Sequence, residues 1–189
     1  MIDTMHLFVT SKCTNNCPLC CNNNYDVEDI PIPSEEELSS VENIFLTGGE
    51  PFLLGEKLNK IVATLRTRNN IKNIYIYTSG YECFEYLKKF GNLPNINGVN
   101  FSPKTDKDWD ALAKISFGWF QDFRNLRSNR LYVFIKEYDR GTFDLDNSNN
   151  LDIISEAYFN MNCRVFFRIW MNNIESRPHE IFRRLESYD

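Results

Sequence analysis

The sequence predicts an α/β fold in which a parallel sheet is flanked by helices. Short apolar segments alternate with segments whose apolar residues recur at helical spacing. Each apolar segment is hydrophobic enough to be covered on both faces, which is typical of parallel strands joined by right-handed crossovers. Six such β–α units fit the chain length, fewer than the eight that close a TIM barrel. We therefore expect an incomplete (βα)6 TIM-like barrel with outer helices, and an open doubly wound sheet is the alternative.

The predicted strands are runs of β-branched, aromatic and aliphatic residues. In chain order they are MHLFVT, NIFLT, NIYIYT, GVNFS, LYVFIK and CRVFFRIW, at residues 5–10, 43–47, 73–78, 98–102, 131–136 and 163–170. Both candidate architectures place their functional sites at the C-terminal ends of the strands. The residues that directly follow these segments are therefore the first candidates for a site.

Helices are predicted between the strands from a cap, an apolar periodicity or an aromatic-rich composition. Ser34 and Glu37 have the spacing of a capping box and predict the start of a short helix. The other helical segments are the face with Leu58, Ile61, Val62 and Leu65, the face with Cys83, Leu87 and Phe90, residues 106–125, residues 151–160, and a terminal helix with Ile181, Phe182 and Leu185. The polar residues 139–150 predict a loop.

Length and charge narrow the functional classes. The 189 residues fit a single domain over 1–189. Twenty-one Lys and Arg against 26 Asp and Glu give a net charge of −5, which argues against a large nonspecific footprint on nucleic acid. Arg124, Arg127 and Arg130 form a basic run that is most simply a solvated helix face.

Because neither a targeting pattern nor a membrane-length apolar run is found, we expect a cytoplasmic protein without a membrane partner.

Four of the six cysteines follow the first predicted strand, within residues 13–21. In a reducing compartment, clustered thiols are more typical of metal binding or catalysis than of disulfides. Cys13, Cys17 and Cys20 have the spacing C-x3-C-x2-C, which can hold three corners of an iron–sulfur cluster and leave the fourth iron open. The alternative is a closed structural zinc site in which Cys21 or His6 supplies the fourth ligand.

The remaining thiols are predicted to have ordinary packing roles. Cys20 and Cys21 are adjacent, so they point in different directions from an extended backbone, and joint ligation of one metal would need a bend. Cys21, Cys83 and Cys163 are accordingly predicted to be buried or partly buried thiols outside the cluster.

A second motif, LTGGEP at residues 46–51, follows the second predicted strand. Gly48 and Gly49 allow backbone to approach a ligand closely, and Glu50 offers a carboxylate to a cationic group. Considered alone, the segment is most simply a tight turn. The cysteine spacing one strand earlier gives it a second interpretation.

Together, the two motifs resemble those of the radical S-adenosylmethionine (SAM) superfamily, which has C-x3-C-x2-C after its first strand and GGE after its second. The resemblance extends from about Met5 to Trp170 as an architecture, and motif-level matches lie in residues 13–20 and 46–51. One departure is Leu19, because the residue before the third cysteine is often aromatic in that superfamily.

The resemblance implies a [4Fe–4S] cluster on Cys13, Cys17 and Cys20, with SAM bound at the open iron. One electron from the cluster cleaves SAM, and the resulting 5′-deoxyadenosyl radical abstracts a hydrogen from the substrate. The activity would be that of an oxidoreductase or lyase supplied by a one-electron donor such as flavodoxin or ferredoxin. The implied cofactor-binding residues are Gly48, Gly49, Glu50, Pro51, Ser79, Ser102 and Lys104.

Several reactions remain open within this superfamily. The SPK segment at residues 102–104 resembles that of carboxy-deazaguanine synthase, whose usual Asp-Thr after the third cysteine is replaced here by Cys21 and Asn22. A glycyl-radical activase and a peptide-modifying enzyme are further alternatives, and a zinc- or cluster-stabilised binding module is the non-enzymatic one.

Lys136 and Arg168, near the ends of the fifth and sixth strands, are either site contacts or snorkelling side chains. The substrate is open among small molecules, nucleotides, peptides and proteins, and the motifs identify no catalytic residue.

Overall fold

The structure, a computed structural model, describes residues 2–15, 17, 20–119, 123, 125–135, 148–169 and 177–187. It is an α/β fold in which seven strands form a parallel sheet with helices outside it. The strands are β1 (Thr4–Thr10), β2 (Asn43–Gly48), β3 (Asn73–Thr78), β4 (Gly98–Phe101), β5 (Asn129–Ile135), β6 (Cys163–Ile169) and β7 (Glu180–Arg184). The helices are α1 (Glu35–Ser40), α2 (Glu56–Arg66), α3 (Tyr81–Phe90), α4 (Asp106–Lys114) and α5 (Ser148–Asn160).

The chain divides into two compact units. The first comprises Met1–Tyr77, Pro94–Ile96 and Met171–Asp189, and the second comprises Thr78–Leu93 and Asn97–Trp170. In the first unit the strand order is β3-β2-β1-β7, and in the second it is β4-β5-β6. No described helix combines the length and the apolar character needed to cross a membrane.

The centre of the first unit is β1, which pairs in parallel with β2 on one side and with β7 on the other. Met5, Leu7, Phe8 and Val9 have no exposed surface. Burial of these four residues explains why the segment is mostly apolar instead of alternating with polar residues. At its C-terminal end, Thr10 is in register with Gly48 of β2. The ends of these two strands therefore lie side by side.

All six predicted strands are confirmed, and within the described residues their bounds differ from the predicted ones by at most two residues. The predicted capping box is confirmed as well: Ser34 Oγ accepts from the Glu37 N–H at 3.1 Å, and Glu37 Oε2 accepts from the Ser34 N–H at 3.0 Å. The predicted loop at residues 139–150 lies outside the described residues except for its last three, which begin α5. Leu19, Lys136 and Trp170 lie outside the described residues too.

The predicted terminal helix is wrong, because its residues form the seventh strand. Glu180 of β7 is in register with Thr4, and the Leu185 N–H donates to the Phe8 carbonyl at 3.0 Å. The apolar spacing of this segment also fits a helix, but a helix would leave this edge of β1 without backbone partners. The Phe182 ring packs edge-on against Tyr25, with centroids 5.4 Å apart. Tertiary pairing thus overrides the local periodicity.

The basic run between α4 and β5 is a second correction. Arg130 is not on a helix, because it lies in β5 and is half-buried. Arg127 precedes the strand and is exposed, and Arg124 lies outside the described residues. The predicted helix over residues 106–125 is α4 as far as Lys114, followed by a π-helical turn over Ile115–Trp119. Arg127 and Arg130 therefore do not share a helix face.

In the second unit, the two faces of the sheet differ in composition. Val99 and Phe101 of β4, together with Leu131 and Val133 of β5, are fully buried. Alternate residues of the same strands point to the opposite side. That opposite side includes Asn100 and polar or aromatic residues of β5 and β6.

Candidate functional site

The GGE turn is bonded through its backbone to the segment that leads into the cysteine loop. The Gly49 N–H donates to the Thr10 carbonyl at 2.6 Å, and the Glu50 N–H donates to the Lys12 carbonyl at 2.7 Å. Lys12 in turn donates its N–H to Thr10 Oγ1 at 3.1 Å. Because Cys13 is the next residue, the position of the first cluster cysteine is coupled directly to the GGE turn.

Glycine is required at both positions of this turn. A Cβ on Gly48 would lie 2.3 Å from the Thr10 carbonyl oxygen, and one on Gly49 would lie 2.1 Å from the Lys12 oxygen. Both distances are far inside van der Waals contact, and the opposing atoms are backbone. Gly48 also has a φ of +125°, which side-chain-bearing residues rarely adopt. The two glycines therefore allow two chain segments to lie close together. From the sequence, we expected them to allow the close approach of a ligand.

Glu50 is a buried carboxylate, with 2% of its surface exposed. It caps the 3₁₀ turn Pro51–Leu54, and its Oε1 accepts from the Phe52 N–H at 3.4 Å. Pro51 occupies the first position of that turn, where its fixed φ and missing N–H carry no penalty. Burial of a carboxylate is costly unless charged or hydrogen-bonding groups compensate it. The site therefore contains a buried carboxyl group, and a cationic group would be a complementary ligand for its ionised form.

The cysteine loop consists of short turns that follow β1. The Cys20 N–H donates to the Cys17 carbonyl at 3.1 Å, and the Asn23 N–H donates to the Cys20 carbonyl at 3.0 Å. Cys13 is exposed, whereas Cys17 and Cys20 are half-buried. A 3₁₀ turn covers Cys21–Asn24, and the side chain of Cys21 is outside the described part of the structure.

The chemistry of this donor set fits an iron–sulfur cluster, whose usual ligands are cysteine thiolates. The three thiols are not gathered into a site in the structure. Within the described part of the chain, no group of three His, Cys, Asp or Glu side chains is arranged to hold a metal ion. The sequence-predicted ligands thus share one loop, and their three side chains are not arranged together as a metal-binding group.

Asn22 is a site residue that the sequence did not single out. Its Nδ2 donates to the Gly48 carbonyl at 2.7 Å, and its Oδ1 accepts from the Tyr25 hydroxyl. Asn22 therefore bonds the end of the cysteine loop to the GGE turn. The segment CNNN contains three asparagines in a row, and nothing in that pattern distinguishes the one that makes this contact.

The other predicted SAM contacts lie in the second unit. The Ser102 N–H donates to the Thr78 carbonyl at 2.8 Å, and Ser79 follows that carbonyl directly as a half-buried residue. Lys104 Nζ donates to Ser102 Oγ at 2.6 Å and lies 3.5 Å from the centroid of the Phe134 ring. The structure therefore brings Ser102 and Lys104 together and orients the lysine ammonium.

Asp108 supports this serine–lysine segment and was also missed from the sequence. Its Oδ2 accepts from the backbone N–H groups of Lys104 and Thr105 at 3.1 and 3.0 Å, and from the Thr105 hydroxyl at 2.8 Å. The side chain is fully buried. The spacing of Thr105 and Asp108 is that of a capping box with Asp at the third position, a signal present in the sequence.

His6, the alternative zinc ligand, has other partners. Its Nε2 lies 3.4 Å from Glu180 Oε2, and its ring stacks on Phe45 with centroids 5.1 Å apart. Burial lowers the pKa of this imidazole, and the nearby Glu180 carboxylate partly opposes that effect. The histidine therefore contacts side chains of β2 and β7, the two strands that pair with β1.

Three further side chains that the sequence raised pack within the second unit. Cys83 and Cys163 are buried thiols, as expected, and burial raises the pKa of Cys163 to about 12. The Arg168 guanidinium lies 4.4 Å from the centroid of the Tyr132 ring, so this exposed residue has a partner in its own unit.

A scan against protein-family models finds no match for this chain, and a search of curated proteins finds none either.

Proposed function

We propose that this chain is a radical SAM enzyme. The observation that carries the proposal is the backbone bonding of the GGE turn to residues 10–12, immediately before Cys13. It couples the two sequence motifs in one unit and places a buried carboxylate beside the loop with three thiols. A purely structural zinc site has no need of such a carboxylate, so this arrangement favours cofactor chemistry over a binding module.

In this proposal, Cys13, Cys17 and Cys20 would hold a [4Fe–4S] cluster, and Glu50 with the Gly48–Gly49 backbone would bind the ammonium group of SAM. When bound, the cluster supplies the electron that cleaves SAM and so starts hydrogen abstraction from the substrate. Asn22 keeps the loop against the GGE turn through its bond to Gly48. Because metal sites often complete their folding on binding, loading is expected to draw the three thiols together.

The remaining assignments follow from the same chemistry. Lys104, oriented by Ser102 and Phe134, is available to an anionic group of SAM or of the substrate. Ser79 is the other hydroxyl in this role, and Pro51 shapes the turn that positions Glu50. The cluster would require a one-electron donor of the flavodoxin or ferredoxin type, and we propose that both proteins act in the cytoplasm.

The test is anaerobic reconstitution with iron and sulfide, followed by dithionite and SAM and measurement of 5′-deoxyadenosine. We expect cluster absorbance and formation of 5′-deoxyadenosine. Glu50→Gln removes the carboxylate charge at nearly constant volume, and we expect it to retain the cluster but bind SAM at least about tenfold more weakly. A fully loaded protein that forms no 5′-deoxyadenosine would contradict the proposal.

A further inference from the structure

One face of the sheet in the second unit carries cations and aromatic rings. Asn100 of β4 is in register with Arg130 of β5, and Arg130 is in register with Arg164 of β6. In-register residues of parallel strands point to the same side, and so do residues two positions further along. We call this surface the arginine face, and it consists of Asn100, Arg130, Tyr132, Phe134, Arg164, Phe166 and Arg168.

Contacts among these side chains organise the aromatic part of the face. The rings of Tyr132 and Phe166 stack with centroids 5.4 Å apart, and the Arg168 guanidinium lies 4.4 Å from the Tyr132 centroid. Arg130 Nη1 donates to the Tyr132 hydroxyl at 3.5 Å. Tyr132 is 6% exposed whereas Phe166 is 37% exposed. Phe166 therefore offers an aromatic surface to a ligand, and Tyr132 supports it from within.

The charge of the arginine face is one-sided. It contains three guanidinium groups, and none of its seven residues has a carboxylate. Arg164 and Arg168 are exposed, and Arg130 is half-buried. Guanidinium groups recognise phosphate through two parallel hydrogen bonds, and their positive charges reinforce one another toward an anion. The complementary ligand is therefore anionic.

Asn100 provides a second and independent indication of a ligand. Its side chain is fully buried, and neither its amide nitrogen nor its amide oxygen has a hydrogen-bond partner among the described residues. Buried amides without partners are rare in native proteins because they lose their hydrogen bonds to water without replacement. A polar ligand beside Arg130 and Arg164 would restore these bonds.

From this arrangement we infer that the arginine face binds a nucleoside monophosphate. The phosphate lies on Arg130 and Arg164 with the Asn100 amide beside it, and the base stacks on Phe166. The step from one layer of the face to the next is two residues, or about 7 Å along a strand, so a single nucleotide can reach both layers. A flat base uses the exposed Phe166 ring better than an acidic peptide does.

Binding at the arginine face goes beyond the proposed function and does not rest on it. Binding is measured on the full chain as purified, without added SAM or reductant. If no nucleotide binds, the prediction of SAM cleavage is unaffected. If SAM is not cleaved, the prediction of nucleotide binding is unaffected.

The test is isothermal titration with guanosine, uridine and cytidine 5′-monophosphates, the matching nucleosides and inorganic phosphate. Adenosine 5′-monophosphate is left out because SAM contains the same nucleoside. We expect at least one monophosphate to bind about tenfold or more tightly than its nucleoside and than phosphate alone. Arg130→Gln and Arg164→Gln should each weaken that binding about tenfold. Arg164 is exposed, so its variant is expected to fold normally.

Arg127→Gln is the matched control, since it removes the same charge from an exposed residue outside the arginine face. Asn100→Leu should raise the midpoint of thermal unfolding of the unliganded chain by about 2–4 °C while weakening nucleotide binding. The inference is overturned if none of the three monophosphates binds, or if Arg127→Gln weakens binding as much as Arg164→Gln. A further comparison is 4-hydroxybenzoate, an aromatic anion without a phosphate group. If it binds more tightly than every monophosphate, the inference is overturned as well.

Discussion

Burial raises the pKa of the Cys163 thiol to about 12, whereas Cys13, three residues after the end of β1, is exposed to solvent. Metal binding uses the thiolate, so a thiol that stays protonated at physiological pH is a poor ligand. Cys17 and Cys20 are only half-buried and lie on the same loop as Cys13. At the scale of single residues, environment thus separates the three proposed ligands from Cys163, even though all are the same amino acid.

The raised pKa of Cys163 predicts a loss of stability in alkaline solution. Above pH 9, the ordinary pKa of this thiol, the unfolded chain releases the proton while the folded chain retains it up to about pH 12. The unfolded state then binds fewer protons, so the free energy of unfolding falls as pH rises through this window. In urea denaturation at several pH values, the wild type should lose about 1 kcal/mol per pH unit more than Cys163→Val. Equal slopes would contradict the prediction.

Gly49 is predicted to be intolerant of any side chain. Its Cβ would meet the Lys12 carbonyl oxygen at 2.1 Å, so Gly49→Ala must displace the GGE turn from the cysteine loop. We expect a loss of about 2 kcal/mol or more in the free energy of unfolding. The control is Gly91→Ala, where φ is +78° but no atom lies within 4 Å of the added Cβ, and a loss of about 1 kcal/mol is expected. Denaturant titration compares them, and equal losses would rule out the steric explanation.

At the scale of elements, β7 binds the first unit together through both backbone and side chains. Arg183 Nε donates to Glu37 Oε2 of α1 at 2.9 Å, and this bond holds the pKa of the Glu37 carboxyl below its usual value. Phe182 packs against Tyr25, which in turn donates to Asn22 of the cysteine loop. The last strand therefore supports the loop through two aromatic residues.

Truncation of Phe182 should measure this support. Phe182→Ala removes ring contacts to Phe8 and Tyr25, and we expect it to lower the free energy of unfolding by about 2 kcal/mol. The control is Phe159→Ala in α5, where the side chain is 75% exposed and the expected change is within about 0.5 kcal/mol. The measurement is urea denaturation of both variants. A change at Phe182 no larger than that at Phe159 would argue against its packing role.

At the scale of the whole molecule, the proposed cluster links its own binding to the stability of the fold. Any ligand that binds the folded chain and not the unfolded one raises the free energy of unfolding. The three thiols do not form a metal-binding group among the described residues, so cluster loading should rearrange them and stabilise the unit that contains them.

Thermal unfolding before and after anaerobic reconstitution tests this link. The wild type should unfold at a higher temperature once loaded, and Cys17→Ala should take up no cluster and show no such shift. Cys83→Ala should begin at a lower midpoint, because that thiol is buried, and still gain stability on loading. A shift of equal size in Cys17→Ala would contradict the ligand assignment.

Part of the site could be predicted from the sequence, and there are physical reasons why the other residues were missed. Cys13, Cys17, Cys20 and the GGE turn have spacings that occur rarely by chance. Asn22 could not be distinguished from its neighbours, because its role depends on which asparagine faces the Gly48 carbonyl. The sequence predicted that Arg130 lies on a basic helix face, because the spacing of the arginines fits a helix. That spacing carries no information about the pairing of Arg130 with Asn100 in the sheet.

The sequence by itself determined the alternation of strands and helices, since apolar periodicity is a local property of each segment. Pairing partners are non-local, and only the tertiary structure decided them. Residues 180–184 became a strand because the edge of β1 offers backbone donors and acceptors that a helix would leave unpaired. In the same way, the glycines of the GGE turn are required because two backbones separated by 37 residues in the chain, Lys12 and Gly49, come into contact there.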